Sequence, residues 1–534
     1  AAAYFISDSS ASSETLASIF LGLIRGESSS TEDFALSTWK SSAKSAVLEW
    51  LSRLTHPQLK SNFSRHVPIE YLTPATLVTG KEMAIQLSLP RRSTSTVAVV
   101  ETQAFGRKVQ WLNAQHGSGS DARTLELGQL RHLWENLPQK IELNLDYLTS
   151  HMFISGSTGS GKSNTLYEIL DQVDRAGVPF LVIEPAKGEY KHVFGHRPNV
   201  QVFGTNPALG ALLRINPFSF PHGIHVLEHV DRLVEIFNVC WPMYAAMPAV
   251  LKEAILLAYE QSGWDLNESC NRIHASLFPA FADLLACLEQ VIEASAYSQE
   301  AKSNYIGALS TRVKSLTNGL NGKIFAAEEL DNATLFDSSV IVDLSRVGSS
   351  ETKSLIMGIL IMRLSEYRIS SGLMNQPLRH VTVLEEAHNI LRRTRSDAGP
   401  EGAGLGAKSV EMLTNAIAEM RTYGEGFILV DQSPHSVDVA AIRNTNTKII
   451  MRLPDEMDRR LIGKSVGLSD GQLEEIARFP RGVAVVYQND WLEPVLCQIK
   501  RFSGVEQVYV HEHAQEEVVD RLAFNRHALH LLLA

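Results

Sequence analysis

Hydrophobic positions change texture three times along the chain. Over the first 70 or so residues they recur at helical spacing: Leu16, Ile19, Phe20, Leu23 and Ile24 share one face, and a second helical stretch covers roughly 34–54. After His56-Pro57 and Val67-Pro68, short alternating runs at 83–89 and 96–100, bounded by Gly80, Pro90 and Gly106, predict strands. The segment 117–122, GSGSDA, has the composition of a loop. From His151 onward, apolar runs without polar alternation take over: 152–155, 180–184, 200–203, 340–344, 381–385, 427–431, 449–453 and 483–487. Such runs suit parallel strands buried on both faces of an α/β sheet. Between 203 and 340 the period becomes helical, as in Val226, Val230, Leu233, Val234 and Phe237. The reading is an N-terminal helical and β-rich region (1–145), an α/β core (146–500) with a helical insertion at about 220–330, and a tail (501–534).

Composition narrows the function classes. A chain of 534 residues with 44% hydrophobic and 20% charged residues is an ordinary folded polypeptide, neither disordered nor fibrous. A net charge of -10 excludes an all-over basic coat, so any polyanion site is local. Cys240, Cys270, Cys287 and Cys497 lie far apart and signal neither a disulfide framework nor a zinc site, consistent with a reducing cytoplasm. The longest apolar run, Leu355 to Leu364, is interrupted by Arg363 and is too short for a membrane span. The start has no basic segment and no Met, so the chain reads as a piece of something longer.

The sharpest chemical signal is GSTGSGKS at 156–163, with Gly156, Gly161, Lys162 and Ser163 in the register of a P-loop. A buried strand leads in and a helix leads out, which is the context that gives the string meaning. Gly156, Gly159 and Gly161 let the backbone wrap, so that N–H groups from Ser157, Thr158, Ser160 and Asn164 and the helix N-terminus face phosphates. Lys162 is expected to bridge phosphate oxygens of ATP and Ser163 to ligate Mg²⁺. An acid on a neighbouring strand completes such a site, and VTVLEE supplies Glu385 for the metal side and Glu386 to polarise the attacking water. His388 reads either as a relay of contacts to a next subunit or, somewhat more readily, as a packing residue. Gln432, at the tip of 427–431, reads either as a contact to γ-phosphate or water, or as part of a polar turn before Pro434.

This ordered set, GSTGSGKSNT, FLVIEPAKGEY, VIVDLS, VLEEAHN and NTNTKIIMRL, resembles the HerA branch of the HerA/FtsK ATPases over about 146–500. The resemblance implies a RecA-like core with a helical insertion and an N-terminal barrel, although the helical first 70 or so residues match a barrel only in part. It further implies a ring, usually a homo-hexamer, that moves duplex DNA at the expense of ATP and Mg²⁺. By that resemblance Lys162, Ser163, Glu385, Glu386 and Gln432 occupy the nucleotide and hydrolysis positions, and Arg421 looks like a phosphate-sensing arginine. Arg452, Arg459 and Arg460 are candidates for an arginine finger reaching a neighbour's ATP. The flavour of EPAKGEY and EEAHN is similar to bacterial ATPases encoded beside nucleases in anti-phage or restriction systems, including phosphorothioate-dependent restriction.

For DNA, Arg392, Arg393 and Arg395 follow the acid strand and precede a glycine-rich stretch, 399–406, which suits either a mobile basic pore loop or a disordered surface loop or subunit contact. A second basic run, with Lys302, Arg312, Lys314 and Lys323, reads more readily as solvated helix surface. The sequence thus points to an ATP-driven duplex DNA translocase or helicase working with a partner nuclease. The alternatives are an ATP-dependent assembly scaffold of a defence complex, or a conjugation or secretion pump.

Overall fold

The computed structural model describes residues 2–25, 36–60, 70–81, 93, 99, 102–111, 123–241, 243–244, 246–393 and 402–511. The strand-like runs at 83–89 and 96–100, apart from residue 99, the 117–122 loop, Arg395 and the end of the tail lie outside them. The chain forms two compact units, Ala1–Glu101 and Thr102–Ala534.

The first unit carries helices α1 (Ser10–Arg25) and α2 (Ser41–Ser52) and a two-residue strand pair, Leu59–Lys60 with Tyr71–Leu72. Phe5 packs on Phe20, and Tyr4 shares a 2.8 Å hydrogen bond with His56.

The second unit is built on one sheet of β1 (Thr124–His132), β2 (Glu135–Asn144), β3 (Met152–Ser155), β4 (Phe180–Glu184), β5 (Val200–Gly204), β6 (Ala211–Leu212), β7 (Ser339–Asp343), β8 (His380–Leu384), β9 (Glu425–Asp431), β10 (Thr447–Ile450), β11 (Val483–Gln488) and β12 (Val495–Ile499). Their order is β2-β1-β12-β11-β10-β3-β9-β8-β4-β7-β5-β6. The stretch from β10 to β6 is parallel, and the other four strands are antiparallel. The α/β expectation holds, with one correction: the 483–487 run is not parallel, because a short turn joins β11 to β12 and only an antiparallel hairpin closes so tightly.

β1 and β2 lie within the second unit, so the textural boundary at 145 falls inside its sheet rather than before it. Gly128 and Pro138 interrupt the apolar pattern there. Gly128 sits at a register shift, where a Cβ would come within 2.1 Å of the Gln498 carbonyl oxygen. Pro138 lies on the edge strand, whose outer side needs no N–H donor.

Alternation within the central strands divides the core between the two faces. Met152, Ile154, Phe180, Val182, Val381 and Val383 pack with Leu166, Ile169, Leu170 and Val173 of α3 (Lys162–Arg175). Phe153, Leu181, Ile183, Val340 and Val342 pack on the other face with α4 (Val226–Cys240), α5 (Met247–Gln261), α6 (Phe281–Ala294) and α7 (Ser350–Ser370). The 355–364 run belongs to α7, apolar nearly all round and correspondingly buried. Its Arg363 is paired with Glu329 at 2.7 Å. No helix among the described residues is long and apolar enough to cross a membrane.

Candidate nucleotide site

β3, β4, β7, β8 and β9 run parallel, so their C-terminal ends open on one rim, and the turns leaving them supply the site. After β3 the chain wraps through 156–161 into α3. Gly161 adopts φ +116, and a Cβ on Gly156 would lie 2.6 Å from Ser160 Oγ and 2.8 Å from Met451 Cβ, so glycine is required at both positions. Ser157 N–H donates to the Arg452 carbonyl at 2.8 Å, and Gly482 N–H to that of Ser160 at 2.8 Å, which ties the loop to the adjoining strands.

Inside the wrap, the Lys162 ammonium donates to the carbonyls of Gly156 and Ser157, the latter at 3.3 Å. Burial lowers its pKa, while Glu386 and Glu385 favour the charged form. Ser163 Oγ faces Glu189 Oε2 at 3.5 Å. Asn164 turns away, donating to the Lys500 carbonyl and accepting from Phe502 N–H, so it anchors the 500–502 segment to α3 rather than facing the loop.

The acid pair divides as its position after β8 implies. Glu385 is half-buried and its carboxyl is pushed up by desolvation, partly opposed by a 2.6 Å hydrogen bond from Tyr190 OH. Glu386 has φ +48, a left-handed conformation that non-glycine residues adopt at a cost of about 1–3 kcal/mol. Gln432 Nε2 donates to Glu386 Oε1 at 2.6 Å, and Thr158 Oγ1 donates to Gln432 Oε1 at 2.7 Å. The structure therefore brings Gln432 between the P-loop and the acid.

His388 is not a packing residue. It is partly exposed and bonded to Asp431 Oδ2 through both Nδ1 and its backbone N–H, each at 2.9 Å, and Nδ1 lies 3.6 Å from Glu386 Oε2. The Asp431 hydrogen bond raises its pKa. Glu386, His388 and Asp431 offer potential ligand atoms within 4.8 Å of one another, but those of His388 and Asp431 already satisfy each other.

The arginines scatter. Arg421 precedes β9, a strand of seven residues or about 20 Å, and so lies at the end of the sheet opposite that strand's tip, where its charge is felt by His151. It does not reach its own chain's P-loop. Arg452 follows β10 beside the loop, its Nε buried without a partner. Arg459 caps the carbonyls of Leu453 and Pro454, whereas Arg460 is exposed and pairs with Glu456, one turn earlier, at 2.8 Å.

Arg392 bridges to Val437, and Arg393 Nη1 lies 3.0 Å from His435 Nδ1, beside the site. The glycines beyond do not all belong to a loop: Gly402, Gly404 and Gly406 open α8 (Gly402–Glu419). In the second basic run, Lys302 donates to the Glu293 carbonyl, and Arg312 bonds the Ala308 carbonyl and lies 3.6 Å from Glu351, which accounts for these charges locally.

A family model described as the central domain of helicase HerA matches residues 125–364. A DNA double-strand break repair helicase HerA of Sulfolobus acidocaldarius is 22% identical over 393 residues, 72% of this chain and 70% of the relative. A probable helicase of Methanocaldococcus jannaschii is 22% identical over 401 residues, 68% of this chain and 69% of the relative. Among solved structures, VirB4 of Thermoanaerobacter pseudethanolicus superposes with a TM-score of 0.54 at 17% identity, covering 72% of this chain and 97% of VirB4. Plasmid coupling protein TrwB in complex with ADP and Mg²⁺ superposes with a TM-score of 0.51 at 13% identity, covering 78% and 99%. These structural likenesses establish a shared RecA-like P-loop fold.

Proposed function

We propose, from the premise that the chain is a P-loop ATPase of the HerA/FtsK type, that it hydrolyses ATP to drive movement along duplex DNA. The observation that carries the hydrolytic reading is the hydrogen-bonded series Thr158–Gln432–Glu386, which joins the phosphate loop to an acid held in a strained backbone. Lys162 exchanges the carbonyls of Gly156 and Ser157 for phosphate oxygens. Glu386 accepts the proton of the attacking water, and Gln432 fixes the carboxylate that does so. The Ser163 hydroxyl and the Glu385 carboxylate offer only oxygen donors, the chemistry that suits Mg²⁺, which when bound neutralises charge on the phosphates.

The DNA half of the reading is supported by the relatives, which are named helicases, and by Arg392 and Arg393 beside the hydrolysis site. The translocating species is a homo-hexameric ring, with Arg460, exposed on its helix, as the finger offered to a neighbouring subunit, and with a nuclease as partner in DNA processing or phage defence. Steady-state ATPase assays with and without duplex DNA, run beside mass measurement of the particle in ATP, test this. A translocase hydrolyses faster with duplex and assembles as a ring, and Lys162→Ala abolishes both hydrolysis and its stimulation. Assembly without DNA stimulation favours the scaffold alternative, and a monomer in every condition overturns the ring.

A further inference from the structure

The turn that leaves β4, residues 185–189, sits on the same rim as the P-loop yet has no part in the chemistry described so far. It is held unusually hard. Glu184, buried at the end of β4, accepts the N–H groups of Glu189 at 2.8 Å and Tyr190 at 3.3 Å. Lys353 Nζ donates to the Pro185 carbonyl at 2.7 Å, and Gly188 N–H to that of Ala186 at 2.8 Å. Within this frame two consecutive residues take left-handed backbone, Lys187 at φ +63 and Gly188 at φ +71. Glycine does so freely, but lysine does not. A Cβ at Gly188 would crowd the Asp343 carboxylate at 3.1 Å, so the turn also lies tight against β7.

This strained lysine ends 3.6 Å from Glu189, and that carboxylate also faces the P-loop Ser163 hydroxyl at 3.5 Å and Tyr167 OH at 3.4 Å. The Lys187 charge is felt by both Lys162 and Glu385, so it lies within the field of the phosphate site. A half-exposed ion pair stabilises a fold by about 0–1 kcal/mol and does not by itself account for a strained backbone fixed from both sides.

We propose that the 185–189 turn forms a second wall of the nucleotide site, with Lys187 as a further phosphate-contacting cation and Glu189 as a further acid on the Ser163 metal side. In the free chain the two neutralise each other, and MgATP separates them. The inference rests on the nucleotide-site reading above and extends it to residues outside the P-loop and the acid pair.

Titration of the full chain with fluorescent N-methylanthraniloyl ATP and ADP, each in Mg²⁺ and in EDTA, tests it. Lys187→Asn keeps a residue tolerant of left-handed backbone and removes the charge. It is expected to weaken ATP about tenfold or more while changing ADP less than about threefold, and Lys187→Arg restores most of the loss. Glu189→Gln is expected to remove most of the affinity that Mg²⁺ adds, leaving the EDTA titration as in the wild type. Equal effects of Lys187→Asn on ATP and ADP, or a magnesium gain untouched by Glu189→Gln, overturn the inference. If the unsubstituted chain binds no nucleotide, or Lys162→Ala binds it as well, the underlying nucleotide-site reading fails instead.

Discussion

Both rims of the central sheet hold a cluster of glutamate, histidine and polar partners, and the two clusters are wired differently. At the start of the strands, buried Glu425 accepts from His380 Nδ1 at 2.6 Å, Thr382 Oγ1 at 2.8 Å and Arg368 Nε at 3.1 Å, and Arg368 continues to Asp337 at 2.7 Å. These partners hold Glu425 below its ordinary pKa despite full burial. At the other rim Glu386 has Gln432 on one oxygen and His388 at 3.6 Å from the other, on a left-handed backbone and partly open to solvent. One acid has its valences closed by the protein. The other keeps capacity for something that arrives. Residue type alone therefore separates structure from chemistry poorly; the completeness of the partner set separates them well.

Substitutions at the two rims sharpen or break this contrast. The largest effect is expected from Glu425→Ala, which leaves the buried Arg368 Nε, His380 Nδ1 and Thr382 Oγ1 without their shared acceptor: chemical denaturation should show a loss of about 3–5 kcal/mol. A loss under 1 kcal/mol would show that the closed cluster is not a stabilising network. Glu386→Gln is expected to lower the hydrolysis rate about 10²–10³-fold with thermal stability unchanged or slightly raised, because a strained acid becomes a neutral amide. Normal turnover by that variant removes Glu386 as the base.

The smallest effect concerns His151, buried at the start of β3, whose pKa desolvation lowers to about 4. The folded state keeps it neutral while the unfolded chain protonates it near 6.5. Stability is thus fully present above about pH 6.5 and is lost as pH falls toward 4, by up to about 3 kcal/mol. The pH slope of the denaturation midpoint should flatten in His151→Asn, a residue that also tolerates the φ of +63 found there. An unchanged slope would place the acid sensitivity elsewhere.

The functional rim was more legible in the sequence than the structural one. The P-loop and the acid pair lie on consecutive residues around single strand ends, so one-dimensional spacing carries their geometry, whereas Gln432 at its strand tip stayed open to two readings. Asp431 with His388, and Glu189 with Ser163, join residues far apart in the chain, and no local pattern pairs them. The displacement of Arg421 did have a signal. A residue that precedes a parallel strand starts at the rim opposite the one where that strand delivers its C-terminal turn. The edge hairpin β1–β2 was obscured by Gly128 and Pro138, two residues that read as breaks and are tolerated because one sits at a bulge and the other at an open edge.

The Lys162 side chain, donating into its own loop, has a kinetic consequence. A phosphate-binding loop that awaited its ligand as a floppy chain would surrender backbone entropy at each encounter. Here the lysine acts as an internal template that keeps the wrap in shape between turnovers, so arrival of a nucleotide is an exchange of acceptors rather than a folding event. Product release then needs no external force to empty the cradle, because the carbonyls of Gly156 and Ser157 compete for the same ammonium and take it back as the leaving phosphate loosens its hold.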